Sequence, residues 1–167
     1  MPSLVRAERL EDRADVRRVN AMAFGRPDEA DLVDRLRDRC PGYLGLVALE
    51  GDQVIGHIAF SPVDLEGAPS RALVGLAPMA VHPEHQQRGV GTALVSDGLE
   101  AARDTGADAV FVLGHPGYYP RFGFEVVGPA IENEYGGPPE AFMVVELTSG
   151  VLEGVSGTVR YHPAFAG

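Results

Sequence analysis

Apolar residues along this chain recur at two different spacings. Val16, Val19 and Ala23 sit at helical intervals between Asp12 and Phe24, and Leu32, Val33 and Leu36 form a second apolar stripe between Asp28 and Arg39. Gly25 and Pro27 break the first run, and Pro41 and Gly42 stop the second. Two consecutive amphipathic helices are therefore expected after a short strand, Leu4 to Ala7. The acidic residues Asp28, Glu29 and Asp31 open the second helix, where they either flank a cleft or form a solvated start. Leu44 to Glu50 and Val54 to Val63 read as strands joined at Gly51-Asp52, a compact hairpin signal. A polar, turn-rich stretch from Leu65 to Ser70 leads into a third strand, Ala72 to Val81. Pro78 lies inside that strand, and a proline donates nothing to a hydrogen-bond ladder, so a bulge or an unpaired segment is expected there. A strand that stops pairing halfway leaves a gap, and a gap admits a ligand.

The helical period returns with Ala93, Leu94, Val95, Leu99 and Ala102, in a helix from about Thr92 that ends near Thr105-Gly106. Ala109 to Leu113 is wholly apolar, as a central buried strand would be. Strand, helix and strand in this order predict a right-handed crossover between parallel neighbours. A short helix around Tyr118 to Phe122, a Gly/Pro-rich connection from Gly128 to Pro139, a strand from Phe142 to Leu147 and a last strand within Val155 to Tyr161 complete the pattern. With no internal repeat and no dividing linker, one mixed α/β domain over residues 1–167 is expected.

Composition narrows the class. Apolar residues make up 45% and charged residues 23% of 167, ordinary for a globular protein. No apolar run reaches the roughly 18 residues of a membrane span, and the N-terminus has no apolar signal core. A cytoplasmic location without a membrane partner is the expectation. The single Cys40 excludes an internal disulfide and a cysteine-clustered metal site, and no His/Asp/Glu spacing suggests a metal. The net charge of −10 has the wrong sign for a nucleic-acid binder. An acidic surface confers solubility and suits a cationic amine, but a polyanionic ligand then needs a local positive group.

The chemistry-bearing stretch is Gln86-Gln87-Arg88-Gly89-Val90-Gly91-Thr92, between the third strand and the helix that follows it. Two glycines leave the backbone bare, so successive N–H groups can turn toward one anion while the new helix adds its positive end. Arg88 is the natural donor of charge within it. A dinucleotide fingerprint would need a third glycine and a position after the first strand, and a Walker loop would need Lys-Ser/Thr. Neither is present.

Gln86, Gly89 and Gly91 fill a Gln/Arg-x-x-Gly-x-Gly/Ala pattern after Ala80-Val81-His82-Pro83, and roughly 30 residues later Tyr119-Pro120-Arg121-Phe122-Gly123-Phe124 fits Tyr-x-x-x-Gly-Phe. Together these segments resemble the GCN5-related N-acetyltransferase (GNAT) superfamily over about residues 3 to 147. Val112 to Tyr119, Pro139 to Met143 and Gly154 to Gly157 resemble its YhbS-like branch. The resemblance implies a mostly antiparallel sheet of about seven strands, flanked by about four helices, with one parallel pair splayed at an acyl-CoA slot. The acyl-CoA-binding core would span about residues 72–126, with C-terminal strands in 142–161. It implies acetyl-CoA as co-substrate without a metal, and a small-molecule or peptide amine as acceptor. Dimers are common in such families. Backbone amides of Arg88, Gly89, Val90, Gly91 and Thr92 would hold the pyrophosphate, and main-chain groups of Met79, Ala80 and Val81 would pair with the pantetheine arm. Tyr119 occupies the position of the acid that protonates the leaving thiolate, with Tyr118 as the fallback.

The base that takes the amine proton is open. Neither Leu73 to Val81 nor Val110 to Leu113 contains a carboxylate, which leaves Glu29, His57, Glu84, Glu140 or a chain of waters. Strand alternation would point His57 with Ile55 and Ala59, as a bonded structural histidine. His115 follows the central strand, and His82 shapes the turn into the glycine stretch.

Overall fold

A computed structural model describes residues 4–167. In chain order the elements are β1 (Leu4–Ala7), α1 (Arg13–Phe24), α2 (Asp28–Arg39), β2 (Leu44–Glu50), β3 (Gln53–Pro62), β4 (Asp64–Leu65), β5 (Leu73–Val81), α3 (Val90–Asp104), β6 (Ala109–Leu113), β7 (Glu125–Val126), β8 (Ile131–Asn133), β9 (Phe142–Glu146) and β10 (Gly157–Arg160). The main sheet has seven strands in the order β1-β2-β3-β5-β6-β9-β7, and only β5 and β6 run parallel within it. The expected fold is therefore present. The segment expected to be a fourth helix is instead a 3-10 turn, Tyr119–Phe122. Pro120 sits at its start, and a single turn closed by Gly123 at φ 93° leaves no room for an α-helix.

One face of the sheet packs on α3, whose Val90, Leu94, Val95 and Ala102 meet Ile58, Phe60, Leu76, Val110 and Val112. The other face is shared. α1 and α2 cover Val47, Leu49, Val54 and Ala80. A second sheet, in the order β4-β10-β8, covers Leu73, Ala109, Phe111 and Phe142. The tail strand expected in Val155–Tyr161 thus exists, but in this separate sheet, antiparallel to β4 and parallel to β8.

α1 and α2 are tied by charge as well as packing. Arg17 reaches Asp34 at 2.5 Å and Asp31 at 3.0 Å, while Arg13 reaches Asp34 and Asp38 at 3.2 Å each. Glu29 is held by Arg26 at 2.6 Å. Asp31 and Glu29 of α2 are therefore engaged in ion pairs, with α1 and with the turn before α2.

β3 contains a register shift against β2 between Ala48 and Leu49. It places Ile55 in the core under α3, while His57 faces α1. Simple alternation from Ile55 fails because Ile55 is itself the extra residue, between Val54 opposite Leu49 and Gly56 opposite Ala48. His57 is fully buried. Its Nδ1 lies 3.4 Å from Asn20 Nδ2, whose hydrogens point to acceptors, so Nε2–H donates to Glu8 Oε1 at 2.9 Å. Tyr43 donates to the same oxygen at 2.6 Å, and Arg37 Nε donates to Glu8 Oε2 at 2.7 Å. Burial works against the Glu8 carboxylate, but these bonds and the Arg37 charge outweigh it and hold its pKa down at about 2. Burial pushes the Cys40 thiol up, which suits an inert core residue rather than a nucleophile.

Candidate functional site

β5 is paired on both sides only at its start. With β6 it pairs through Leu73↔Ala109, Val74↔Val110 and Gly75↔Phe111, and there the pairing stops. On the β3 side the register shifts between Ile58↔Met79 and Phe60↔Leu76, where Ala77 and Pro78 form the extra width. The Ala77-Pro78 peptide is cis. From residue 76 onward β5 bends from its parallel neighbour, and its outer flank up to Val81 faces a gap, where Pro78 led the sequence to place one.

The chain leaves β5 through a 3-10 turn, Pro83–His85, capped by His82 Nδ1, which accepts the Glu84 N–H at 3.2 Å. Gln86 then folds its side-chain amide back to donate to the Val81 carbonyl at 3.1 Å, fixing the glycine stretch to the strand end. Gln87 takes φ 62° and Gly89 φ 82°, so the backbone twists twice through the left-handed region before α3 begins. α3 has no side-chain cap and no acidic residue in its first turn, whereas α2 opens with three carboxylates. Ala93 N–H is the first to find a partner inside the helix, at the Gly89 carbonyl. The preceding amides, including those of Val90, Gly91 and Thr92, are left at a positive helix end.

These elements border a cleft of about 560 Å³ lined by Met79, Val81, Gln86, Gln87, Gly89, Gly91, Thr92, Tyr118 and Arg121. Six of the expected donor-site residues thus meet at one surface. Three do not line it. Ala80 packs under α1, Val90 is the first residue of α3 and is buried against the sheet, and Arg88 is exposed outside the cleft. Sequence reading missed Gln87 and Arg121; the left-handed φ of Gln87 has no sequence signal, and Arg121 arrives from a turn some 30 residues downstream.

Gly91 is helical, so its backbone does not demand glycine. A Cβ there would stand 3.0 Å from the Tyr118 hydroxyl, and the missing side chain is what lets that ring lie across the loop. Tyr118 packs edge-on against Tyr119 and Phe122, and Arg121 lies 4.5 Å from its ring centroid. Tyr119 sits deeper, against Gly114, where a Cβ would come within 2.3 Å of its ring. Burial, then the neighbouring Tyr118, pushes the Tyr119 phenol up to about 12. It remains protonated across the ordinary pH range, as a proton donor must.

Among the base candidates, Glu29 is paired with Arg26, and His57 is sealed in the Glu8 network. Glu84 and Glu140 are exposed, as is His115. His82, Glu84 and His85 bring ligand atoms within 4.8 Å of one another. His82 Nδ1 already accepts the Glu84 N–H, which leaves only its Nε2 to face a ligand. A larger hollow of about 730 Å³ lies along β7 and β9. It has neither an uncapped helix end nor an interrupted strand pair, so size does not locate the site.

A sheet opened beside an uncapped helix N-terminus suits an anionic ligand that carries an extended, hydrogen-bonding arm. The family model of the acetyltransferase (GNAT) family matches residues 11–124, and the chain belongs to that family. The uncharacterized N-acetyltransferase YhbS of Escherichia coli (strain K12) is 38% identical over 164 residues, 97% of this chain and 98% of YhbS. The crystal structure of E. coli YhbS in complex with CoA matches with a TM-score of 0.90 over 99% of this chain and 92% of that one. A GNAT family acetyltransferase from Brucella melitensis in complex with acetyl-CoA is 36% identical, with a TM-score of 0.80 over 98% of each chain. Among the described residues, no helix is long and apolar enough to cross a membrane.

Proposed function

We propose that this protein transfers an acetyl group from acetyl-CoA to a primary amine by direct attack within a ternary complex. The observation that carries this reading is the meeting, at one cleft, of the uncapped α3 N-terminus with the unpaired flank of β5. The first suits a pyrophosphate and the second suits an amide-bearing arm that hydrogen-bonds like a strand. The donor fits this chain's residues: Gly89 has nothing within 4 Å of a Cβ position, and no carboxylate among the described residues lines the cleft.

The amine lone pair attacks the thioester carbon, and the carbonyl electrons move to oxygen. A backbone N–H on β5 stabilises that oxyanion. The C–S bond then breaks as the carbonyl reforms, and the departing thiolate takes the Tyr119 proton. The attacking nitrogen, neutral on entry, must also lose one proton. Glu84, Glu140 or ordered water receives it, because Glu29 and His57 are already engaged. Solvent exchange then returns a proton to Tyr119 and restores the enzyme.

Calorimetry with CoA, followed by a thiol-release assay over polyamines, amino acids, aminoglycosides and peptides, tests the reading. CoA binding with turnover on one acceptor class is expected. The lack of a carboxylate on β5 favours a second reading, a non-catalytic acyl-CoA-binding module. Tight CoA binding with no turnover across the panel selects it, and no binding removes both.

A further inference from the structure

We propose that Arg121, rather than Arg88, supplies the charge that grips the phosphate end of the donor. This rests on the acetyl-CoA reading above. In a chain of net charge −10, Arg121 is the one charged residue lining the cleft among the described residues. A polyphosphate entering there meets backbone amides on one wall and a single guanidinium on the other. Arg88 lies inside the glycine stretch but outside the cleft, so its position in the sequence does not give it the role.

The geometry of Arg121 suits a preset cation. Its Nε donates to the Tyr118 carbonyl at 2.9 Å, and its guanidinium lies over the Tyr118 ring at 4.5 Å. One N–H is spent on fixing the fork and the ring supports its face, while the terminal nitrogens stay available to paired phosphate oxygens. Both anchors belong to the residue whose hydroxyl abuts Gly91. Arg121 also shares its 3-10 turn with Tyr119. A phosphate held by Arg121 therefore steadies the turn that carries the proposed acid, which makes Arg121 a residue for binding and positioning.

The test is CoA affinity measured by calorimetry at several salt concentrations for the wild type, Arg121→Gln, Arg121→Lys and Arg88→Gln. Arg121→Gln is expected to weaken CoA binding about tenfold or more, the loss of a charge-assisted contact, and to flatten its salt dependence. Arg121→Lys keeps the charge but not the fork, so it should recover the salt slope and only part of the affinity, a split that a merely structural role would not produce. Arg88→Gln should stay within about twofold of wild type. A larger loss for Arg88→Gln than for Arg121→Gln overturns the proposal, as does an unchanged salt slope in Arg121→Gln. If the wild type binds CoA and Arg121→Gln binds it equally well, this inference alone fails; if the wild type binds no CoA, the donor reading fails with it.

Discussion

The Tyr118 hydroxyl stands 3.0 Å from the point that a Gly91 side chain would occupy, so two segments almost 30 residues apart share one volume. Alanine at 91 is expected to favour helix α3 by about 1 kcal/mol while displacing Tyr118 and weakening CoA binding. In a Tyr118→Phe background the same substitution should cost far less affinity. Thermal melts and CoA titrations of the four proteins of this cycle check it, and equal losses in both backgrounds would refute the steric link. Gly89 differs in kind, because its φ of 82° carries a backbone penalty of about 1–2 kcal/mol for a β-carbon in otherwise open space.

Tyr119→Phe should reduce turnover by about a hundredfold, the lower range for a lost general acid, with little change in CoA affinity. Because burial raises the wild-type phenol to about 12, its deprotonation contributes no falling limb to the rate below about pH 10. A pH–rate series between about 6 and 10 that rises or levels off fits this assignment. A turnover number unchanged in the variant transfers the role to Tyr118 or water.

Glu8 joins the loop after β1 to α2, to the residue before β2 and to β3, through Arg37, Tyr43 and His57 respectively. Glu8→Ala leaves Arg37 with a buried, half-paired charge and should destabilise the fold by about 3 kcal/mol, read by chemical denaturation. The carboxylate pKa is depressed from 4.5 to about 2, so its contribution is fully present above about pH 4.5 and is lost as pH falls toward 2. The wild type should therefore lose stability across that window more steeply than Glu8→Gln. Parallel slopes would refute the linkage.

Gly98 sits mid-helix in α3, where a Cβ would come within 2.7 Å of two Phe60 ring atoms. Phe60 is 1% exposed and cannot swing clear. Gly98→Ala should therefore destabilise by about 1–3 kcal/mol through overpacking, exceeding the helix-propensity gain of about 1 kcal/mol. Phe60→Leu should restore much of the loss, and a melt of Gly98→Ala above the wild type would contradict the packing argument.

The long periodic elements were legible because each carries its own pattern: Val16 and Val19 in α1, Leu94 and Val95 in α3, and the wholly apolar β6. The glycine stretch and Pro78 were legible because glycine and proline restrict the backbone locally. What stayed hidden depends on partners far away in sequence. Ile131–Asn133 reads as part of a Gly/Pro-rich loop and becomes β8 only because Gly157–Val159 lies beside it. Glu8 reads as a surface charge until Arg37, Tyr43 and His57 enclose it. The bulge that turned His57 away from Ile55 is a register property of two strands. Arg88 and Arg121 look alike as charges in motifs, and only the packing of Tyr118 separates them.

The small sheet brings together residues near 64, 131 and 157, with the last of them in the middle. During synthesis β4 and β8 emerge first and have no common partner until Gly157–Arg160 appears. Val159 and Tyr161 then join the cluster that covers Leu73, Ala109 and Phe111, and without them part of that apolar surface loses its cover. Truncation before Gly157 should therefore yield a sticky, protease-sensitive product rather than a smaller working protein, as limited proteolysis and light scattering would read.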